Sequence, residues 1–208
     1  RQRQMCIRDR YIEARYSTTS AQQAASSNDT VSLWAEILRR TEHSKLMLKY
    51  RNLFADDGLK KIWQERFSQE GIEEDRLLLM AGDHAQLEHL TLYSQIDIAL
   101  DPFPFNGATT TFEALLMGIP VITFKGRRFV DRVGATLLQH CALTEFVAAD
   151  AGTYVDLAVQ LASDPAQIGT WRERIRSHLL DSPLIRGKKY AKSLERAYRE
   201  MWQRKSEG

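Results

Sequence analysis

The chain has 208 residues, 43% of them hydrophobic and 27% charged, and a formal net charge of +2. That length allows one large domain or two small ones with a core that needs no cross-links. A charge so near neutrality lacks the electrostatic footprint of a nucleic-acid binder. Cys6 and Cys141 give neither a disulfide framework nor a metal-ligand spacing. No apolar run is long enough to span a bilayer and no signal peptide is visible, so the expected setting is reducing and cytoplasmic.

Residues 1–10, RQRQMCIRDR, show no apolar period and are set aside as non-native sequence. Residues 11–29 read as a polar loop that ends at a helix cap, Asn28 or Asp29. The domain proper is expected over 30–208. Val31, Trp34, Ile37 and Leu38 fall on one face of a helix over 30–40. LMLKY, at 46–50, reads as a strand. Leu59, Ile62, Trp63 and Phe67 give a second helix that Gly71 can end. RLLLMA (76–81) is a strand, 84–93 a short helix and IDIAL (96–100) a strand. A helix over 109–117 follows, with Gly118 placed to cap it and Pro120 to stop it. VITF (121–124) is a strand, 129–140 a helix and EFVA (145–148) a short fifth strand. Beyond residue 152 only helices are expected, over 153–163, 166–180 and about 187–203. The strand runs are almost wholly apolar, as strands covered on both faces are. The predicted class is therefore α/β: a Rossmann-like parallel sheet with helices on both faces and a helical C-terminal extension.

One corner of this pattern carries chemistry. DPFPFNGATTTFEALLMGIP (101–120) follows the third predicted strand, at the strand end where open α/β sheets bind ligands. Pro102 and Pro104 stiffen it, and Asn106-Gly107 can turn sharply. Gly107 and Ala108 leave room for a ligand. Thr109, Thr110 and Thr111 open a helix whose free amides and partial positive charge attract phosphate. Glu113, one turn on, can accept from a ribose diol. Together these suit a nucleotide diphosphate, while an ordinary capped helix start with a solvent-facing carboxylate is the competing reading.

DIALDPFPFNGATTTFEALLMGIPVITFKG resembles the nucleotide-sugar half of O-linked N-acetylglucosamine transferases, including the SPINDLY-like and bacterial members with tetratricopeptide repeats. The likeness continues through RVGATLL (132–138), SPL (182–184) and YAKSLERAYREMW (190–202), and covers about residues 30–203. It implies the C-terminal half of a GT-B glycosyltransferase. Such an enzyme transfers sugar, N-acetylglucosamine for choice, from a UDP-sugar to Ser or Thr of a protein, with inversion and without a metal. By that resemblance the donor-binding residues are Asn106, Gly107, Ala108, Thr109, Thr110 and Glu113, with His89 lining the nucleotide pocket and Gln22 facing the uracil and diphosphate. The implied partners are the nucleotide-sugar donor, a protein or peptide acceptor, the N-terminal GT-B domain and upstream repeats, with no nucleic acid and no membrane.

The resemblance has gaps. The family lysine that neutralises the leaving diphosphate has no counterpart in QQAASSND, where Ala25 or Ser26 stands. Leu92 stands one turn beyond His89 where a basic residue is expected, and Ala108 stands where animal members carry histidine. Transfer activity is therefore not expected of this stretch by itself, and a non-catalytic nucleotide-binding or interaction module derived from the family is the alternative. His43, His84, His140 and His178 have no convergent partners in sequence. Trp34, Trp63, Trp171 and Trp202 sit at helical spacing and are expected in the core. Arg127, Arg128 and Arg132 follow the fourth predicted strand on the ligand side. The basic series from Arg172 to Arg196 reads as solvated helix face. Tyr190, Leu194, Tyr198, Met201 and Trp202 line one side of the last helix, a stripe expected to be exposed in part if the N-terminal domain is absent.

Overall fold

A computed structural model describes residues 10–15, 28–49, 52–82 and 90–206, with only the backbone described for 10–15, 28 and 29. Six strands among these residues form one parallel sheet: β1 (Arg10–Arg15), β2 (Ser44–Lys49), β3 (Leu77–Met80), β4 (Ile98–Leu100), β5 (Val121–Phe124) and β6 (Val147–Ala148). Their order is β3-β2-β1-β4-β5-β6. This is the doubly wound order in which the chain reverses direction across the sheet between β1 and β4.

The centre of the sheet corrects the sequence reading. The stretch over 11–29 was expected to be polar loop, yet Arg10–Arg15 is a strand in register with both β2 (Ile12 with Leu46) and β4 (Ile12 with Ile98). RYIEAR has a charged residue at three of its six positions, so it lacks the apolar run that marks β2 or β5. The loop expectation over 16–27 lies outside the described residues.

The other strands follow their apolar runs. Leu46, Met47 and Leu48 of β2, Ile98 and Leu100 of β4 and Val121 and Ile122 of β5 are all buried. EFVA shortens to Val147–Ala148 after a 3-10 turn at Thr144–Phe146.

Among the described residues the helices are α1 (Asn28–Arg40), α2 (Asp57–Gln69), α3 (Thr109–Leu116), α4 (Val133–His140), α5 (Ala151–Ser163), α6 (Pro165–Asp181) and α7 (Gly187–Ser206). Asn28 and Asp29 lie inside α1 rather than ahead of it. The predicted helix at 84–93 is described only from Leu90, where one helical turn runs into a 3-10 turn at Tyr93–Gln95. The helix predicted over 129–140 is divided, with a 3-10 turn at Phe129–Asp131 preceding α4. α1 packs against α2 and α5, and α3 packs against α4 and α6, so the sheet lies between two helical groups.

Aspartates cap three of these helices. Asp56, Asp150 and Asp164 accept from the amides of Leu59, Thr153 and Gln167 at 2.8, 2.7 and 3.0 Å. α3 ends as its sequence predicts. Gly118 takes φ +74°, and the Ile119 amide returns to the Ala114 carbonyl at 2.8 Å. A Cβ on Gly118 would meet the Arg172 carbonyl oxygen of α6 at 2.6 Å. Gly118→Ala therefore combines a left-handed backbone with a backbone clash, and a loss of about 2 kcal/mol is expected in urea denaturation.

Tryptophan burial is uneven. Trp34 is fully buried, and Trp63 packs between Phe54 and Phe67. Trp171 is half-buried between Phe146 and the Arg174 guanidinium. Trp202, expected in the core, is 73% exposed. It belongs to the α7 stripe, whose Tyr190, Leu194, Tyr198 and Met201 are also exposed. No helix among the described residues is long and apolar enough to cross a membrane.

Candidate functional site

The corner at 101–110 leaves the carboxyl end of β4, beside the carboxyl end of β1, at the point where the strand order reverses. That position is where a doubly wound sheet opens a crevice for a ligand. The corner includes a cis peptide at Phe103-Pro104. Thr30, buried in α1, donates to the Phe103 carbonyl at 2.9 Å and ties that bend down.

Asn106 is buried and holds the corner together. Its side-chain amide donates to the Pro102 carbonyl at 3.0 Å, and its side-chain oxygen accepts from the Gly134 amide at the start of α4 at 3.3 Å. Its own N–H donates to the Val130 carbonyl at 2.8 Å. The Gly107 N–H donates to Asp101 Oδ1 at 2.7 Å. These two backbone donors, expected to face a ligand, are thus engaged in shaping the turn. The donors further on are differently placed. Ala108, at the N-cap of α3, supplies no side-chain cap, unlike the aspartates at α2, α5 and α6. The first intrahelical bond runs from Phe112 N–H to the Ala108 carbonyl, so the amides of Thr109, Thr110 and Thr111 precede the ladder. Ala108 and Thr109 are exposed, and Thr110 is half-buried. Thr111 is buried and turned inward, donating to the Gly107 carbonyl at 3.0 Å. A Cβ on Gly107 would lie 2.5 Å from Thr110 Oγ1 and 2.8 Å from Thr111 Oγ1, so a larger residue here would displace the threonine hydroxyls.

Glu113 sits half-buried on the second turn of α3. The hydroxyl of buried Tyr93 lies 3.2 Å from both Glu113 Oε2 and the Thr110 carbonyl oxygen, and shares its proton between them. Tyr93 thereby links the two residues expected to meet diphosphate and ribose. Sequence reasoning missed it, because its spacing reads only as the end of a short helix.

Asp101 was also missed. It is 3% exposed, and its Oδ2 accepts from Thr123 Oγ1 of β5 at 2.6 Å. Burial pushes its carboxyl up to about 7, against the lowering effect of its hydrogen bonds to Thr123 and Gly107. Its carbonyl accepts from the Tyr154 hydroxyl of α5 at 3.2 Å, and that hydroxyl accepts from Trp34 Nε1 at 3.2 Å. Burial raises the Tyr154 phenol well above its ordinary value. A polar chain therefore runs from α1 through α5 and β4 to the corner.

The loop after β5 is hitched to the same corner by Val130 and Gly134. Within it Arg128 pairs with Asp131 at 3.0 Å, and Arg127 and Arg132 are exposed. His89, Gln22, Ala25 and Ser26 lie outside the described residues. No group of three or more His, Cys, Asp or Glu among the described residues is placed to hold a metal ion.

Comparison with known proteins places the chain in a family. The sequence model for glycosyl transferase family 41 matches residues 22–194. A protein of Petunia hybrida, named probable UDP-N-acetylglucosamine--peptide N-acetylglucosaminyltransferase SPINDLY, is 37% identical over 176 residues. That match covers 85% of this chain but 19% of the Petunia protein. A mutant of the Thermobaculum terrenum O-GlcNAc transferase superposes with a TM-score of 0.83 at 28% identity, over 93% of this chain and 36% of that one. The C-terminal domain of a group 1 glycosyl transferase, LpcC, from Francisella tularensis shares the fold, with a TM-score of 0.60 at 13% identity, over 82% of this chain and 84% of that one. The chain spans about a fifth of the length of the curated SPINDLY relatives it matches. By the family match and by this likeness, the chain belongs to glycosyl transferase family 41.

Proposed function

We propose that this chain is the UDP-sugar-binding domain of an inverting, metal-independent protein O-glycosyltransferase that transfers N-acetylglucosamine to Ser or Thr. One observation carries the reading: the start of α3 has no side-chain cap and opens at the switch point of the sheet, with Thr109, Thr110 and Glu113 around it. The name of the Petunia relative supports the donor and the peptide acceptor, and that of the Thermobaculum relative supports the transferred sugar.

In this reading the diphosphate sits against the amides and hydroxyls of Thr109 and Thr110, and Glu113, held by Tyr93, accepts from the ribose diol. An acceptor hydroxyl forms a bond to the anomeric carbon as the bond from that carbon to the diphosphate oxygen breaks. The electron pair leaves with UDP, and the hydroxyl proton passes to a base outside this chain. Negative charge grows on the diphosphate as the bond breaks, and the partial positive charge at the start of α3 opposes that growth. The N-terminal GT-B domain and the upstream repeats that the resemblance implies would supply the acceptor side.

Isothermal titration of the chain with UDP, without magnesium, tests the reading. Weak binding is expected, and Thr110→Val with Glu113→Ala should reduce it by about a hundredfold or more. Absence of heat with the unsubstituted chain would overturn the proposal. Ala25 and Ser26, in place of the family lysine, favour one second reading, a module that binds nucleotide without transferring sugar. Restoring lysine at either position in a full-length context, followed by a sugar-transfer assay, separates the two.

A further inference from the structure

We infer that Asp101 is a positioning residue of the diphosphate corner, its carboxyl group fixing the Gly107 amide and so aiming the turn that presents Thr109 and Thr110. The inference rests on the donor-binding reading above and adds a residue to it that touches no ligand.

The geometry behind it is local. Asp101 is the first residue after β4, and Gly107 is the last but one before α3. The 2.7 Å bond between Asp101 Oδ1 and the Gly107 N–H closes the loop between them. Closure brings Thr110 Oγ1 against Gly107, leaving no room for a Cβ there. The other carboxyl oxygen is held by Thr123, and the Asp101 carbonyl by Tyr154, so the side chain is clamped from β5 and its backbone from α5. Gly134, at the start of α4, presses against Asp101 Oδ2, where a Cβ would clash. A cleft lined by Leu100, Pro102, Thr110 and Thr111 adjoins the carboxyl.

Among the described residues, the groups that face this carboxyl are Gly107 and Thr111 from the corner and α3, Thr123 from β5 and Gly134 from α4, with Tyr154 of α5 on the backbone side. Tyr154 alone of these titrates, and burial moves it far above the physiological range. The neutral carboxyl keeps both bonds, with the carbonyl oxygen accepting from Gly107 and the hydroxyl proton turning to Thr123 Oγ1. Ionisation adds a negative charge behind the peptide that an anionic diphosphate would approach. Diphosphate should therefore bind more weakly as Asp101 ionises. The unfolded chain ionises this group near its ordinary value and the fold only near 7. Its burial therefore costs stability increasingly from about pH 4 to about pH 7, and no more beyond.

The test is UDP titration of the whole chain at about pH 6 and about pH 8.5, with Asp101→Asn and Asp101→Ala, beside amide NMR of Gly107. Asp101→Asn keeps an acceptor for the Gly107 amide and should bind within about threefold of the unsubstituted chain at the lower pH. Asp101→Ala should lose about tenfold or more at both. Affinity should fall more steeply with pH in the unsubstituted chain than in Asp101→Asn, since UDP's own titration is common to both. The Gly107 amide resonance should titrate near pH 7 in the unsubstituted chain and stand still in Asp101→Asn. Undiminished UDP binding by Asp101→Ala, parallel pH profiles, or a Gly107 resonance that ignores pH would each overturn the assignment. Should Asp101→Ala fail to fold, the Asn comparison decides. If the unsubstituted chain binds no UDP, the donor-binding reading falls by itself, and the Gly107 resonance still decides whether Asp101 sets the turn.

Discussion

Gly134→Ala is expected to destabilise the fold by about 3 kcal/mol and to remove most of its UDP affinity. The added Cβ would lie 2.5 Å from Thr123 Oγ1 and closer still to Asp101 Oδ2. Neither neighbour can step aside. Thr123 is fully buried in β5, and Asp101 is bonded on both carboxyl oxygens and on its carbonyl. The helix must move instead, which strains the bond between the Gly134 amide and Asn106. Gly169→Ala makes the contrast. It lies inside α6 with nothing within 4 Å of the new methyl, so it should stabilise by about 0.5–1 kcal/mol through helix propensity. Urea midpoints of the two variants, read at constant slope, should move in opposite directions. Equal behaviour would show that α4 does not abut Asp101.

Trp34→Ala should cost about 4 kcal/mol, the middle of the range for a buried aromatic. Trp34 is fully buried, and its indole N–H donates to Tyr154. Truncation opens a cavity and takes a donor from a hydroxyl that also supports Asp101. Trp202→Ala, at 73% exposure, should change stability by less than about 0.5 kcal/mol. Both indoles occupy apolar helical positions in sequence, so a comparable loss at the two sites would contradict the fold described here. Loss of near-ultraviolet ellipticity should follow Trp34 alone.

The alternation of helix and strand was legible because buried parallel strands are written as almost wholly apolar runs, as in VITF and IDIAL. Helix ends were legible where glycine has a conformational reason to be there, as at Gly71 and Gly118. β1 was not, because RYIEAR mixes charges into its apolar positions and pattern reading assigns such stretches to loops. The corner was found from its prolines, its Asn-Gly and its threonines. What holds the corner was invisible, because Asp101, Thr123, Tyr154 and Trp34 come from four separate segments and meet only after folding. The engagement of the Asn106 and Gly107 amides had the same cause. Val130 and Asp101, which accept from them, have no sequence mark as acceptors.

The place of β1 sets a timetable for folding. Its register joins Ile12 to Leu46 on one side and to Ile98 on the other, a separation of 98 − 12 = 86 positions along the chain. During synthesis this strand leaves the ribosome before either neighbour exists and waits longest for β4. Until residues 98–100 are made, β1 offers an unpaired edge with β2 and β3 beside it, open to pairing with another nascent chain. Closing that long loop carries an entropic cost ahead of any reward in contacts, which favours slow folding. The corner at 101–110 hangs from β4, so it cannot be assembled before the sheet has zipped through its middle.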